Sequence, residues 1–325
     1  MAVPLLKSRR FWKWFLLAPL CLTVLGFLGL WAWLTPRGLP LFGEPRDYFM
    51  ERKGTVAAAP AVKSIVEEGR APVSHVRLAS DSGLVVDLAV RRPEHRPQQG
   101  LPLVLLVGGY RTGKNAVHLA ADGNGMVLAA IDYPLPGART LKGFRAVAAL
   151  PQIRGAIYDT PPALMLALDY LITLPEVDPA RIELVGVSMG APLVCVAGAL
   201  DARFTRVWAV QGGGDPFALF YHLLERKIPS APPRYLAARI IERLLLTISP
   251  ERWVAEISPR PFVLVTAADD ERIPKSCADL VFDSAREPRK RIDLPGEHIQ
   301  PEHGEMIDRL FQMLRDHMEP PPSPE

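Results

Sequence analysis

Cysteine is scarce in this chain of 325 residues: only Cys21, Cys195 and Cys277 are present, and no two share the short spacing of a metal site or a paired framework. A zinc module and a disulfide-stapled fold are therefore excluded. Charge of one sign is also lacking. Lys and Arg number 38 against 35 Asp and Glu, a formal balance of +3 with the two signs interspersed, so nothing here addresses nucleic acid. Internal repeats are missing. With 49% hydrophobic and 22% charged residues the chain is not a disordered one, and its length suits one large domain plus appendages.

The N-terminus holds the longest apolar run. Lys7, Arg9, Arg10 and Lys13 precede Trp14 to Leu34, which carries no charge over 21 residues, about the length needed to cross a bilayer as a helix. Trp12, Trp14, Trp31 and Trp33 flank it as interfacial belts do. The run ends in Leu30-Trp31-Ala32-Trp33-Leu34 rather than in small residues, which argues for an uncleaved signal anchor. The basic excess before the span predicts a single-pass membrane protein with its N-terminus cytoplasmic and the remainder periplasmic or extracytoplasmic. Residues 1–38 are thus read as cytoplasmic stub and anchor. Residues 39–71, rich in Pro, Gly and Ala, read as a tether with a short helix around Ala61 to Glu68.

Beyond the tether, Val73–Ala79 and Leu84–Arg91 are β-rich runs around the turn Ser80-Asp81-Ser82-Gly83. Continuous apolar runs then follow at Leu103–Val107, Met126–Ile131, Ile182–Val187, Val207–Val210 and Phe262–Thr266, with a last strand at Arg291–Leu294. Helical spacing separates them, notably at Pro162–Leu174 and Ala191–Leu200. The alternation predicts an α/β fold, a mostly parallel doubly wound sheet of about eight strands with an antiparallel edge.

One stretch carries chemistry. In Arg181–Leu200 an apolar strand meets Gly186-Val187-Ser188-Met189-Gly190 and a helix follows at once. A serine in such a turn is held in a strained backbone, with glycines beside it where side chains would collide, and its hydroxyl faces a helix N-terminus. Ser188 is the predicted nucleophile. A base must take its proton. His298 directly follows the last strand in a Gly-containing loop, and His303 lies five residues on as the alternative.

From about Pro72 to Met318 the chain resembles the α/β-hydrolase superfamily. The residues that carry the likeness are Gly186–Gly190, Val107-Gly108-Gly109-Tyr110, Ala130-Ile131-Asp132-Tyr133, Asp270-Glu271-Arg272-Ile273-Pro274 and Leu294-Pro295-Gly296-Glu297-His298, in the order that superfamily uses. The resemblance implies a serine hydrolase acting on an ester or related acyl bond of a small molecule, with no metal or organic cofactor. It implies Asp270 as the acid that orients His298, with Asp269 and Asp215 as alternatives, and Asp132 as a structural residue. The oxyanion donors would be the amides of Met189 and Tyr110, although Gly108 stands where the family often has histidine. An acyltransferase or amidase with the same residues, or a non-catalytic envelope interaction module, are the other readings. The hydrolase domain is expected over residues 72–319, followed by a Pro-rich tail at 320–325. Residues 212–257 are longer than one crossover requires. Phe217, Phe220 and Leu224, then Leu236, Ile240 and Leu244, recur at helical spacing, so a small helical cap over the site is expected, with packing on the sheet as the alternative.

Overall fold

The computed structural model describes residues 9–34, 45–65, 72–93, 100–109, 112–120, 125–135 and 149–318. Its centre is a nine-stranded sheet. Strands β1 (Ala61–Ile65), β2 (Val73–Ala79) and β3 (Val85–Arg91) form an antiparallel edge. β3 joins β5 (Val127–Ile131) antiparallel, and from there β4 (Leu101–Val107), β6 (Val177–Val187), β7 (Arg206–Val210), β8 (Phe262–Ala267) and β9 (Arg289–Leu294) run parallel. The order is β1-β2-β3-β5-β4-β6-β7-β8-β9.

Every residue of β4 and of β5 is buried, as expected of strands covered on both faces. The period of two sorts their side chains: Leu103, Leu105 and Val107 enter one core, Val104 and Leu106 the other. The first core is covered by α2 (Pro45–Lys53), α3 (Leu150–Leu171) and α4 (Ala191–Leu200). The second is covered by a short 3-10 turn, Gly113–His118, and by α8 (Gly304–Met318). Outside these layers α5 (Pro216–Leu223) and α6 (Ala231–Leu245) form a helical pair, and α7 (Lys275–Ser284) precedes β9.

The fold is the mostly parallel α/β arrangement expected, with nine strands in place of about eight. The extra strand is β1, which pairs in register with β2 from Ala61↔Arg77 to Ile65↔Val73, where a short helix was expected. Edge pairing to an existing hairpin outweighs the weak helical pattern of Ala61–Glu68; residues 66–71 lie outside the described set. Nor is the segment before it merely a tether. In α2, Tyr48 and Phe49 are buried, and the Phe49 ring lies 5.8 Å from Trp253 edge-on and 6.3 Å from Tyr158 stacked. Arg52 grips Asp159 with two hydrogen bonds of 2.8 and 2.7 Å.

The backbone of Arg9–Leu34 forms one helix, α1, of 26 residues. Among the described residues no helix is long and apolar enough to cross a membrane, so the expected anchor gains no support there. The side chains of residues 9–18, where that run begins, lie outside the described set, as does the tail 320–325.

Candidate active site

The parallel strands switch direction of winding at β4, with β5 on one side and β6 on the other. A crevice opens beyond the carboxyl ends of strands at such a point. Ser188 emerges there from β6 with φ +55°, a left-handed conformation in which a serine is strained. The tightness has a visible cause. A Cβ on Gly190 would lie 2.2 Å from the Val107 carbonyl oxygen, and one on Gly186 would lie 2.5 Å from the Gly190 oxygen. Only glycine lets β4, β6 and α4 converge so closely while turning the hydroxyl outward.

Asp270 follows β8, and its Oδ1 accepts the amide hydrogens of Arg272 at 2.9 Å and Ile273 at 3.0 Å, which fixes the carboxylate. Burial works to raise this carboxyl. The hydrogen bonds from His298 and from the Ile273 and Arg272 amides outweigh it and hold the group below the ordinary carboxylate range. His298 follows β9 and is 1% exposed. Its Nδ1 stands 2.9 Å from both Asp270 oxygens and its Nε2 stands 2.8 Å from Ser188 Oγ. With Nδ1 facing a carboxylate, that nitrogen carries the proton and Nε2 is left as acceptor for the serine hydroxyl. The three side chains therefore stand in a relay of hydrogen bonds, although they lie 82 and 28 residues apart in sequence.

The alternatives fall elsewhere. Asp215, at φ +47°, caps α5 by accepting the Ala218 amide hydrogen at 3.0 Å. Asp269 is exposed, and its amide bonds the Gly296 carbonyl at 3.0 Å. His303 stands just before α8, where its carbonyl accepts the Ile307 amide hydrogen at 3.1 Å. Asp132 accepts the Lys114 amide hydrogen at 2.9 Å and pairs with that side chain, as a structural residue does. Met189 lines the crevice beside Ser188. Tyr110 lies outside the described residues.

Two residues of the site were not foreseen. Gln211, buried at the end of β7 with φ +49°, accepts the Ile299 amide hydrogen through Oε1 and places Nε2 3.5 Å from Met306 Sδ. It thus holds the residue after His298. Glu271 accepts the amide hydrogen of His298 itself at 3.3 Å, and its own carbonyl meets His222 Nε2 at 2.9 Å. The only signal for Gln211 in the sequence is a polar residue one step past the apolar run Val207–Val210.

Ser188 and His298 open into a cavity of about 290 Å³ whose other walls are mostly apolar, with Arg272 among them. The helices expected as a cap do not line it. None of Phe217, Phe220, Leu224, Leu236, Ile240 and Leu244 lines that cavity. Phe217 instead stacks on Tyr221 at 5.7 Å and meets Tyr235 edge-on at 5.3 Å, while Leu236 is 62% exposed. Ile240 is exposed as well, at 39%, so this part of the α6 stripe faces outward rather than onto the cavity. Among the described residues no group of three or more His, Cys, Asp and Glu side chains converges to hold a metal ion.

This is an α/β-hydrolase-like fold with a serine, a histidine and an aspartate in hydrogen-bond contact at its crevice. No family model matches the chain. Among solved structures it is similar to an acetyl xylan esterase of Paenibacillus sp. R4, at TM-score 0.59 and 17% identity over 82% of this chain and 92% of that one. It is also similar to acetyl xylan esterase 1 of Thermoanaerobacterium sp. JW/SL YS485, at TM-score 0.55 and 16% identity over 82% and 92%. Among curated proteins it is similar to the uncharacterized protein YfhR of Salmonella typhi, 26% identical over 185 residues, and to that of Escherichia coli K12, 27% identical over 183. These matches cover 54% and 53% of this chain and 58% and 59% of the relatives' own length. At such identities the solved structures speak for the fold.

Proposed function

We propose that this protein is a serine hydrolase that cleaves a carboxylic ester through an acyl-enzyme. The observation that carries the reading is the unbroken contact from Asp270 through His298 to Ser188 Oγ, 2.9 and then 2.8 Å, at a strained strand-to-helix turn. In this reading His298 Nε2 takes the Ser188 proton as Oγ bonds to the ester carbonyl carbon, and the imidazolium is stabilised by Asp270. The carbonyl oxygen becomes an anion held by the amides of Met189 and Tyr110. Collapse breaks the bond to the alcohol, which leaves with the proton from Nε2. Water then repeats the sequence on the acyl-serine, releasing the acid and restoring the hydroxyl. The esterase neighbours support the general reaction class, and the substrate is a separate matter.

Labelling by a fluorophosphonate and hydrolysis of p-nitrophenyl esters test the reading together. Ser188→Ala is expected to abolish both while remaining folded, and His298→Ala to lower kcat by roughly 10³ or more. Asp270→Asn is expected to cut kcat heavily by favouring the wrong imidazole tautomer. A folded Ser188→Ala protein with near-full turnover would end the assignment. A larger loss in Asp215→Asn or His303→Ala than in Asp270→Asn or His298→Ala would move the acid or base there.

We further propose that the N-terminal segment anchors the protein in a membrane, with the hydrolase domain on the extracytoplasmic side. The uncharged 21-residue sequence Trp14 to Leu34 supports this, as does the exposure of Leu22, Leu25, Phe27 and Leu28 on α1.

A further inference from the structure

The cavity beside Ser188 is lined mainly by apolar residues, and its polar lining is Ser188, His298, Thr112, Gln300 and Arg272. Ile307, Leu310 and Phe311 of α8 line it, together with Ala116 and Leu119 of the connection after β4 and Ile299, the residue after the base. All three α8 residues are at most 5% exposed. No charged side chain stands among these six, so an ionised or hydroxylated group placed there would be desolvated without a partner. We infer that this cavity binds the apolar limb of the substrate ester, an unbranched aliphatic chain of about six to eight carbons, and that α8 rather than the α5–α6 pair measures its length. The inference rests on the ester-hydrolase reading above. Taking a methylene as roughly the ~30 Å³ that a water occupies, 290 Å³ admits about ten such units, of which the ester group takes two or three. The cavity lies at the small end of the range for organic ligands, so a single chain fills it.

The chain belongs either to the acid or to the alcohol, and two substrate series separate these. In p-nitrophenyl esters the acid is lengthened from acetate to laurate; in alkyl acetates the alcohol is lengthened over the same range. In the series whose chain enters the cavity, kcat/KM is expected to rise about fourfold per methylene, the rate equivalent of ~0.8 kcal/mol, up to about six to eight carbons and then to fall. Leu310→Trp narrows the cavity from α8, and Leu119→Trp narrows it from the connection after β4. Either is expected to move the optimum to chains shorter by about two to four carbons, and two variants from separate elements guard against one failing to fold. Leu236→Ser and Ile240→Ser on α6 serve as the comparison and are expected to leave the profile where it is.

A fluorophosphonate titration runs alongside on every protein. If Ser188 labels normally but both series are flat, or the optimum moves with the α6 variants and not with folded Leu310→Trp or Leu119→Trp, the inference is overturned and the ester reading stands. If Ser188 does not label, both fall.

Discussion

Gln211 offers the sharpest test of how the base is held. Its side-chain oxygen accepts the Ile299 amide hydrogen, its amide reaches Met306, and it is 1% exposed. Gln211→Ala removes the acceptor and leaves that amide hydrogen without its partner, at a penalty of about 1–3 kcal/mol, with a smaller term from the space vacated. A total near 2 kcal/mol in a domain of this size corresponds to a fall in Tm of about 4–8 °C. The loop then holds His298 less firmly against Ser188, and a displacement of about 1 Å at a reacting group is worth about 10²-fold in rate. Because Gln211 does not line the cavity, the loss is expected in kcat, with KM within about twofold. Gln211→Glu keeps the acceptor and is expected to recover most of the rate. Steady-state kinetics on one p-nitrophenyl ester and a thermal melt of each protein suffice. Unchanged kcat in Gln211→Ala, with Tm within about 1 °C of the parent, would refute the argument.

Two further outcomes follow from the N-terminal elements. Phe49→Ala is expected to lower stability by about 3–5 kcal/mol, read as a Tm drop of roughly 6–20 °C, with kcat at 25 °C preserved because Phe49 touches Trp253 and Tyr158 and not the cavity; a drop under about 2 °C would mean that α2 is not docked in solution. Full-length protein is expected to sediment with membranes and to resist a high-salt wash, since an apolar segment of this length binds through hydrocarbon rather than charge. Release by salt alone would remove the proposed anchor.

The parts of the molecule that a reader of the sequence can find are those dictated locally. Gly186, Ser188 and Gly190 announce their turn because the clashes they avoid lie within a few residues of chain or on the adjoining strand, and β4 and β5 announce themselves because both faces are buried and every position is apolar. His298 and Asp270 each follow a strand at the same edge, so their meeting follows from topology. What escaped notice is what depends on distant partners. Gln211 acts on a residue 88 positions away. In α2 only Tyr48 and Phe49 are buried, too few to show a helical period in nine residues. The α5–α6 stripes were legible as amphipathic, but a stripe does not say what covers it, and here Leu236 and Ile240 stay exposed. The cavity itself arises where α8 meets a turn some 190 residues earlier, which no periodicity encodes.

That turn has a consequence for how such a molecule changes over generations. Between β4 and β5 the described residues contain only the six-residue 3-10 turn Gly113–His118 where a full crossover helix would blanket the sheet. Ala116 and Leu119, in and just after this turn, line the hollow beside α8. On the proposed reading this connection bounds the hollow together with α8, and connections tolerate insertions that packed helices do not. Lengthening this one by a helical turn would shallow the hollow, and trimming it would deepen it, with the strands, the strained serine and its partners left as they are. On the proposed reading, substrate range and foldability are in that sense decoupled, so variants can diverge in the chain they accept while Ser188, His298 and Asp270 keep their places.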